Sequence, residues 1–156
     1  MFAQKASEPG GRGAPGYADG EYFGGFSNLY VVGIDGGATY LNNYIAGTID
    51  YVGRIAGMLL INGKMERARA VAGLVPVYLV NAADHVVDKY KKADGVNAYE
   101  AANGVEAYYD QAIPFRRVVV ARDQDASAAK YIKDAYYSLF VKAQRVGVLK
   151  AGLNSD

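Results

Sequence analysis

His85 is the only histidine of the chain, and Asp84 and Asp88 stand within one helical turn of it. That spacing lets a carboxylate orient an imidazole or share a metal ion with it. One turn supplies two or three ligands at most, and the sequence offers no second cluster to complete a shell. A solvated helix face is the simpler reading. Glycine pairs at Gly10-Gly11, Gly24-Gly25 and Gly36-Gly37 raise the question of a phosphate loop. None is followed by Lys-Ser or Lys-Thr, and none sits between a clear strand and a helix in the required spacing. Ser27, Ser127 and Ser138 lack the Gly-x-Ser-x-Gly setting of a hydrolase nucleophile. Arg116-Arg117 and Arg67-x-Arg69 read as salt-bridged faces rather than anion sites. The sequence therefore predicts no enzyme, no cofactor and no metal.

Composition narrows the class further. The chain has 156 residues, enough for one domain with a real core. Lys and Arg total 17 against 16 Asp and Glu, a balance that speaks against a phosphate-tracking nucleic-acid binder. The longest basic run, Lys89–Lys92, is broken by Tyr90, too weak for a polybasic membrane anchor. Without cysteine there are no disulfides and no thiolate chemistry. The most apolar stretch, Ala70 to Ala83, is interrupted by Pro76 and Asn81 and is too short to cross a bilayer. The N-terminus lacks a signal-peptide layout, although Met1-Phe2-Ala3 is compatible with the last trace of a removed targeting segment. Tyrosine is the outlier, with 14 copies and no Trp, and suits half-buried seams and interfaces.

The elements that must position these residues fall into two parts. Residues 1–37 are crowded with Gly and carry Pro9 and Pro15, so they have little with which to build a core. Such an arm holds one shape only against a surface, and another subunit is the expected one. Pro9, Arg12, Pro15, Tyr17, Tyr22, Phe23, Phe26 and Tyr30 are its predicted docking residues. Leu29-Tyr30-Val31-Val32 reads as a short extended segment, and Asp35-Gly36-Gly37 as the turn into a first helix.

Residues 38–150 show apolar steps of three and four, which predict four helices. The first spans roughly 38–62 and ends at Asn62-Gly63 in a left-handed stop. Its interior Gly53 and Gly57 are tolerable if a helix or an aromatic ring packs closely there. The second spans roughly 65–92 with a kink or break at Pro76, and Lys89, Lys91 and Lys92 suit its C-terminus. Asp94-Gly95 is a turn. Asn97 and Glu100 form a capping box for a third helix over roughly 97–122, kinked at Pro114. Val118-Val119-Val120 has strand character but no evident partner strand. Asp123 or Asp125 caps a fourth helix bearing Ile132, Ala135, Tyr136, Leu139, Phe140 and Ala143. The expected fold is all-α, an up-down-up-down four-helix bundle with an extended Gly/Pro-rich N-terminal arm and a tail at 151–156.

This layout resembles the PsbQ-type extrinsic proteins of photosystem II. Residues 54–69, from Arg54-Ile55-Ala56-Gly57 to Arg67-Ala68-Arg69, are similar to that family's passage from first to second helix, with Met65 where many members carry Trp. Residues 121–131, Ala121-Arg122-Asp123 to Ala129-Lys130-Tyr131, resemble its passage from third to fourth. The resemblance implies a thylakoid-lumen subunit that docks on protein subunits of the core complex and supports oxygen evolution without catalysing it. The expected function is thus a non-catalytic accessory subunit of a large complex, peripheral to a membrane. The alternatives are a structural subunit of a virion, filament or respiratory complex, and a pigment- or small-molecule-binding helical protein.

Overall fold

The computed structural model describes residues 29–45, 55–65 and 75–143. Its centre is a six-stranded sheet rather than a helical bundle. The strands are β1 (Leu29–Ile34), β2 (Ile55–Ile61), β3 (Val77–Val80), β4 (Ala98–Ala102), β5 (Val105–Tyr109) and β6 (Arg117–Ala121). They lie in the order β1-β2-β3-β6-β5-β4. The first four in that order run parallel, and β5 and β4 add an antiparallel hairpin at one edge. Helix α1 is Gly36–Tyr40, continued by a π-helical turn over Leu41–Ile45. Helix α2 is Asp84–Asp94, and α3 is Ala128–Tyr136 with a second π-helical turn over Tyr137–Val141.

The all-α expectation is overturned, and the reason lies in the apolar runs. Met58-Leu59-Leu60-Ile61, Val77-Tyr78-Leu79-Val80 and Val118-Val119-Val120 are buried on both faces of the sheet. A strand covered on both sides has no polar face, so it reads as a continuous apolar run that a helical stripe fits equally well. Alternate residues divide between two cores. Met58, Leu60, Leu79 and Val118 meet Ala38 of α1 and Val86 and Tyr90 of α2. Leu59, Ile61, Tyr78 and Val119 meet Ala135 and Leu139 on the other side. The chain is thus layered helix, sheet, helix. Each Leu, Ile or Val buried this way contributes about 1.5–3 kcal/mol.

Local readings divide accordingly. Leu29-Tyr30-Val31-Val32 is indeed extended, as part of β1, and Asp35 does turn the chain into α1. Asn62 is left-handed, but it ends a strand instead of a helix. Pro76 precedes β3, where its carbonyl accepts from the Met58 amide at 3.0 Å, so it breaks nothing. Gly95 caps α2 in the left-handed conformation, with Lys91 and Lys92 in the last turn.

The third helix does not exist. Its span holds β4, β5 and β6, and Asn97, instead of capping, accepts from the Gln111 amide at 2.9 Å. The hairpin turns at Asn103-Gly104, with φ of 55° and 79°. This is the Asn-Gly pair that such turns demand. Helix α3 is capped by Ser127, which accepts from the Lys130 amide, not by Asp123 or Asp125.

Of the glycines expected inside the first helix, Gly57 is described, and Gly47 and Gly53 lie outside the described residues. A Cβ on Gly57 would stand 2.6 Å from the Phe140 ring, so the predicted aromatic neighbour is present, although on a strand. Among the described residues no helix is long and apolar enough to cross a membrane.

Candidate functional site

In open α/β sheets ligands gather beyond the carboxyl ends of the parallel strands, at the point where successive connections leave to opposite faces. Here β3 leads into α2 on one face and β6 into α3 on the other, so that point lies between β3 and β6. The three strands β1, β2 and β3 are each followed by a left-handed residue, Asp35, Asn62 and Asn81, with φ of 52°, 60° and 62°. Asp and Asn tolerate this conformation better than other side chains. Each of these amides extends the sheet by one more bond, to the carbonyls of Ile61, Val80 and Ala121.

The crevice is stitched shut by the chain itself. The Asn81 amide group donates to Asn62 Oδ1 and to the Asp123 carbonyl, both at 2.7 Å, and its oxygen accepts from the Asp123 amide at 2.8 Å. Arg122 donates to the Ala82 carbonyl at 2.9 Å and to Asp84 at 2.6 Å. The Asp123 carboxylate pairs with Lys130 and accepts from the Asp125 amide and the Tyr131 hydroxyl. Those bonds, that of Lys130 foremost, hold its pKa down at about 2. Every polar group named at this edge has a partner within the chain. The edge is a latch.

The residues weighed for catalysis are dispersed. His85 and Asp84 lie in the exposed first turn of α2, where Asp84 faces Arg122, while Asp88 stands 3.9 Å from Lys91. Gly36-Gly37 lies between β1 and α1, as the turn reading expected, but without the spacing of a phosphate loop. A Cβ at either glycine would meet only open space, and α1 has five residues before its π-helical turn. Ser127 is spent as a cap. Ser27, Arg67, Arg69, Gly10-Gly11 and Gly24-Gly25 lie outside the described residues.

The predicted docking residues Pro9, Arg12, Pro15, Tyr17, Tyr22, Phe23 and Phe26 also lie outside them. Tyr30 is a β1 residue half-buried against α3. Its ring meets Phe140 edge-on at 5.5 Å and Tyr136 at 6.1 Å, and its hydroxyl reaches the Ile132 carbonyl at 3.4 Å. Burial, with the nearby Asp134 charge, pushes its pKa up to about 12.

The group that stands out is one the sequence reading set aside. Arg117, the first residue of β6, is wholly buried, and its three guanidinium nitrogens have no hydrogen-bond partner among the described residues. Strand alternation puts it on the same face as Val119 and Ala121, under α3. It forms part of the wall of a cavity of about 180 Å³ between α3 and the β4-β5-β6 half of the sheet. Val105, Ala107 and Val119 give the cavity an apolar side, Asp134 lines it from α3, and Tyr137 and Ser138 line it from the π-helical turn that follows. Glu100 and Lys142, ion-paired and each about one-third exposed, complete the wall. Asp134 already accepts from the Tyr78 hydroxyl at 2.5 Å.

Among the described residues Arg117 is supported by the Tyr109 ring, 4.8 Å from its guanidinium carbon, and by the more distant field of Glu100. Burial lowers its pKa, while Glu100 and Tyr109 act the other way. A guanidinium nevertheless keeps its proton at any ordinary pH. Asp94 makes the contrast plain. It too is buried without hydrogen-bond partners among the described residues, but burial lifts its pKa to about 7, so it escapes by taking a proton. Arg117 has no such escape, and an unpaired buried charge costs several kcal/mol. The signal for it in the sequence was the step of two from Arg117 to Val119 and Ala121, which has meaning only once residues 117–121 are known to be a strand.

Together the fold and this cavity define a three-layer α/β domain with a mixed sheet and a buried, unpaired cation. Comparison with protein-family models, curated protein sequences and solved structures finds no match. The likeness to PsbQ-type proteins was mainly one of bundle layout, with two short stretches beside it, and the described residues form a sheet instead of that layout, so no photosystem or thylakoid assignment is carried forward.

Proposed function

We propose that this protein is a non-catalytic binding domain that holds a small anionic molecule in the cavity between α3 and the β4-β5-β6 half of the sheet. The observation that carries the reading is the buried guanidinium of Arg117, which has no hydrogen-bond partner among the described residues and forms part of the cavity wall. A bound anion supplies the partner the chain does not, and charge-assisted bonds to it are the strong kind. Among the described residues the cavity is lined by two hydroxyls, of Tyr137 and Ser138, and two carboxylates but by no histidine, which favours holding a ligand over transforming it. Native mass spectrometry of gently purified protein, compared with denatured protein, is the direct test. A bound mass lost on unfolding supports the reading. Protein that carries none, and whose unfolding temperature responds to no added anion, overturns it.

Docking on a larger assembly is a second reading, favoured by the outer face of α3. Ile132, Tyr136 and Tyr137 are large apolar side chains, 41%, 53% and 43% exposed, beside the Tyr30–Phe140 aromatic cluster. Aromatic rings of this kind anchor interfaces. Crosslinking the full chain in native extract, with Tyr136→Ser as the control, tests it. A partner lost with that substitution is expected, and the same partner retained by it removes α3 from the docking surface.

A further inference from the structure

We infer that the ligand of this cavity is a small carboxylate with a short apolar body, its carboxylate on Arg117 and its body against Val105, Ala107 and Val119. This rests on the anion-binding reading and adds the ligand's chemistry. A guanidinium presents a planar fork of donors that a carboxylate meets with two parallel bonds. Inorganic phosphate matches that fork too, but two features of the cavity count against it. Glu100 and Asp134 line the same space, so a dianion meets twice the repulsion that a single negative charge meets. The apolar side would gain nothing from a fully hydrated ion, whereas an alkyl or aryl body covers Val105 and the small exposed part of Ala107, over the wholly buried Val119. The volume of about 180 Å³ sets the size. An apolar protein cavity of roughly 150 Å³ takes up benzene, so a single ring or a chain of a few carbons fits.

Glu100 and Lys142 govern entry. They join the edge strand β4 to the end of α3 across the cavity wall, and their partial exposure places them at its rim. Parting this pair opens the way to Arg117, which has no water-accessible surface of its own. The rival explanation is internal, in that Glu100 swings from Lys142 to Arg117 and serves as its counter-ion with no ligand at all. The two accounts differ at Glu100→Gln. A ligand site loses an acidic competitor and binds carboxylate more tightly. An internal ion pair loses stability and gains no affinity.

The experiment is thermal unfolding and titration calorimetry of the full chain with benzoate, butyrate, inorganic phosphate and neutral benzamide. Benzoate or butyrate at about 100 times its dissociation constant raises the unfolding temperature by about 5–10 °C. Benzamide and phosphate leave it in place. Arg117→Met, which removes a buried charge and keeps the bulk, folds and binds carboxylate at least about 10-fold more weakly. A response to phosphate with none to either carboxylate overturns the carboxylate inference and leaves the anion-binding reading standing. Silence toward every anion overturns both. A carboxylate response unchanged in Arg117→Met places the ligand elsewhere and overturns the inference.

Discussion

Arg117 and Asp94 are buried ions of opposite sign, and each dictates a measurable outcome. Replacing Arg117 with Met exchanges an unpaired charge for apolar bulk, so the ligand-free variant unfolds at a higher temperature, by about 1–3 kcal/mol in stability. A less stable variant means that Arg117 has a counter-ion within the chain. For Asp94 the sign follows from linkage. Its pKa is about 7 when folded against 3.8 ordinarily, chiefly because burial disfavours the carboxylate, with Asp110 adding to the rise and Arg116 opposing it. Between those values the folded chain keeps a proton that the unfolded chain has released. Stability therefore falls as pH rises through that window and levels off above about 7. Asp94→Asn abolishes this loss and raises stability at pH 8 by on the order of 2–4 kcal/mol. Urea midpoints at pH 5 and pH 8 decide it, because equal slopes with pH in both proteins would remove Asp94 as the cause.

At the scale of elements, the turns that end the parallel strands depend on small, specific devices. A Cβ on Gly33 would lie 2.8 Å from the Ala38 amide nitrogen and 2.8 Å from the Gly37 carbonyl carbon, both backbone atoms that cannot step aside. Gly33→Ala pushes α1 off the end of β1 and destabilises by about 1–3 kcal/mol. Asn81→Ala removes a side chain that makes two hydrogen bonds to Asp123 across the β3–β6 gap and one to Asn62 beyond β2, and it leaves a left-handed residue that is neither Asn, Asp nor Gly. A loss of about 2–4 kcal/mol in chemical denaturation is expected, and a neutral result at either site would show that its turn relaxes freely.

These turns were also where the sequence was most readable. Asp35-Gly36-Gly37 and Asp94-Gly95 were recognised as turns because their chemistry is local, and Asn62 was recognised as left-handed, although as the stop of a helix and not of a strand. The helical character of α3 was legible too, but its faces were not, since Ile132 and Tyr136, grouped with the buried Ala135 and Leu139, are 41% and 53% exposed. The central strands were not legible. Val118-Val119-Val120 pairs with Val77–Val80, a strand some forty residues earlier that is itself apolar on both faces, so neither run betrays the other. The hairpin was a missed local signal, because Asn103-Gly104 lay inside a stretch already assigned to a helix by Asn97 and Glu100.

Across the whole molecule, the candidate site was hidden for a topological reason. Arg117, Glu100, Asp134 and Ser138 come from β6, β4 and α3, and only the antiparallel hairpin folded back beside the parallel strands brings them round one cavity. The same topology divides the molecule by stability. β2, β3 and β6 are buried on both faces, whereas β4 is a half-exposed edge with alternating burial. Amide exchange is slowest where opening exposes the most apolar surface. The amides of Leu59–Ile61, Val77–Val80 and Val118–Val120 should therefore exchange only by global unfolding, and those of β4 through a smaller opening. Because the cavity lies between that edge and α3, a bound carboxylate slows exchange in β4, β5 and the segment around Ser138 first. The central strands change only as much as global stability does. Uniform slowing across all six strands would mean that the ligand acts on the fold as a whole, and exchange from β4 as slow as from β3 would mean that the two halves of the sheet open as one unit.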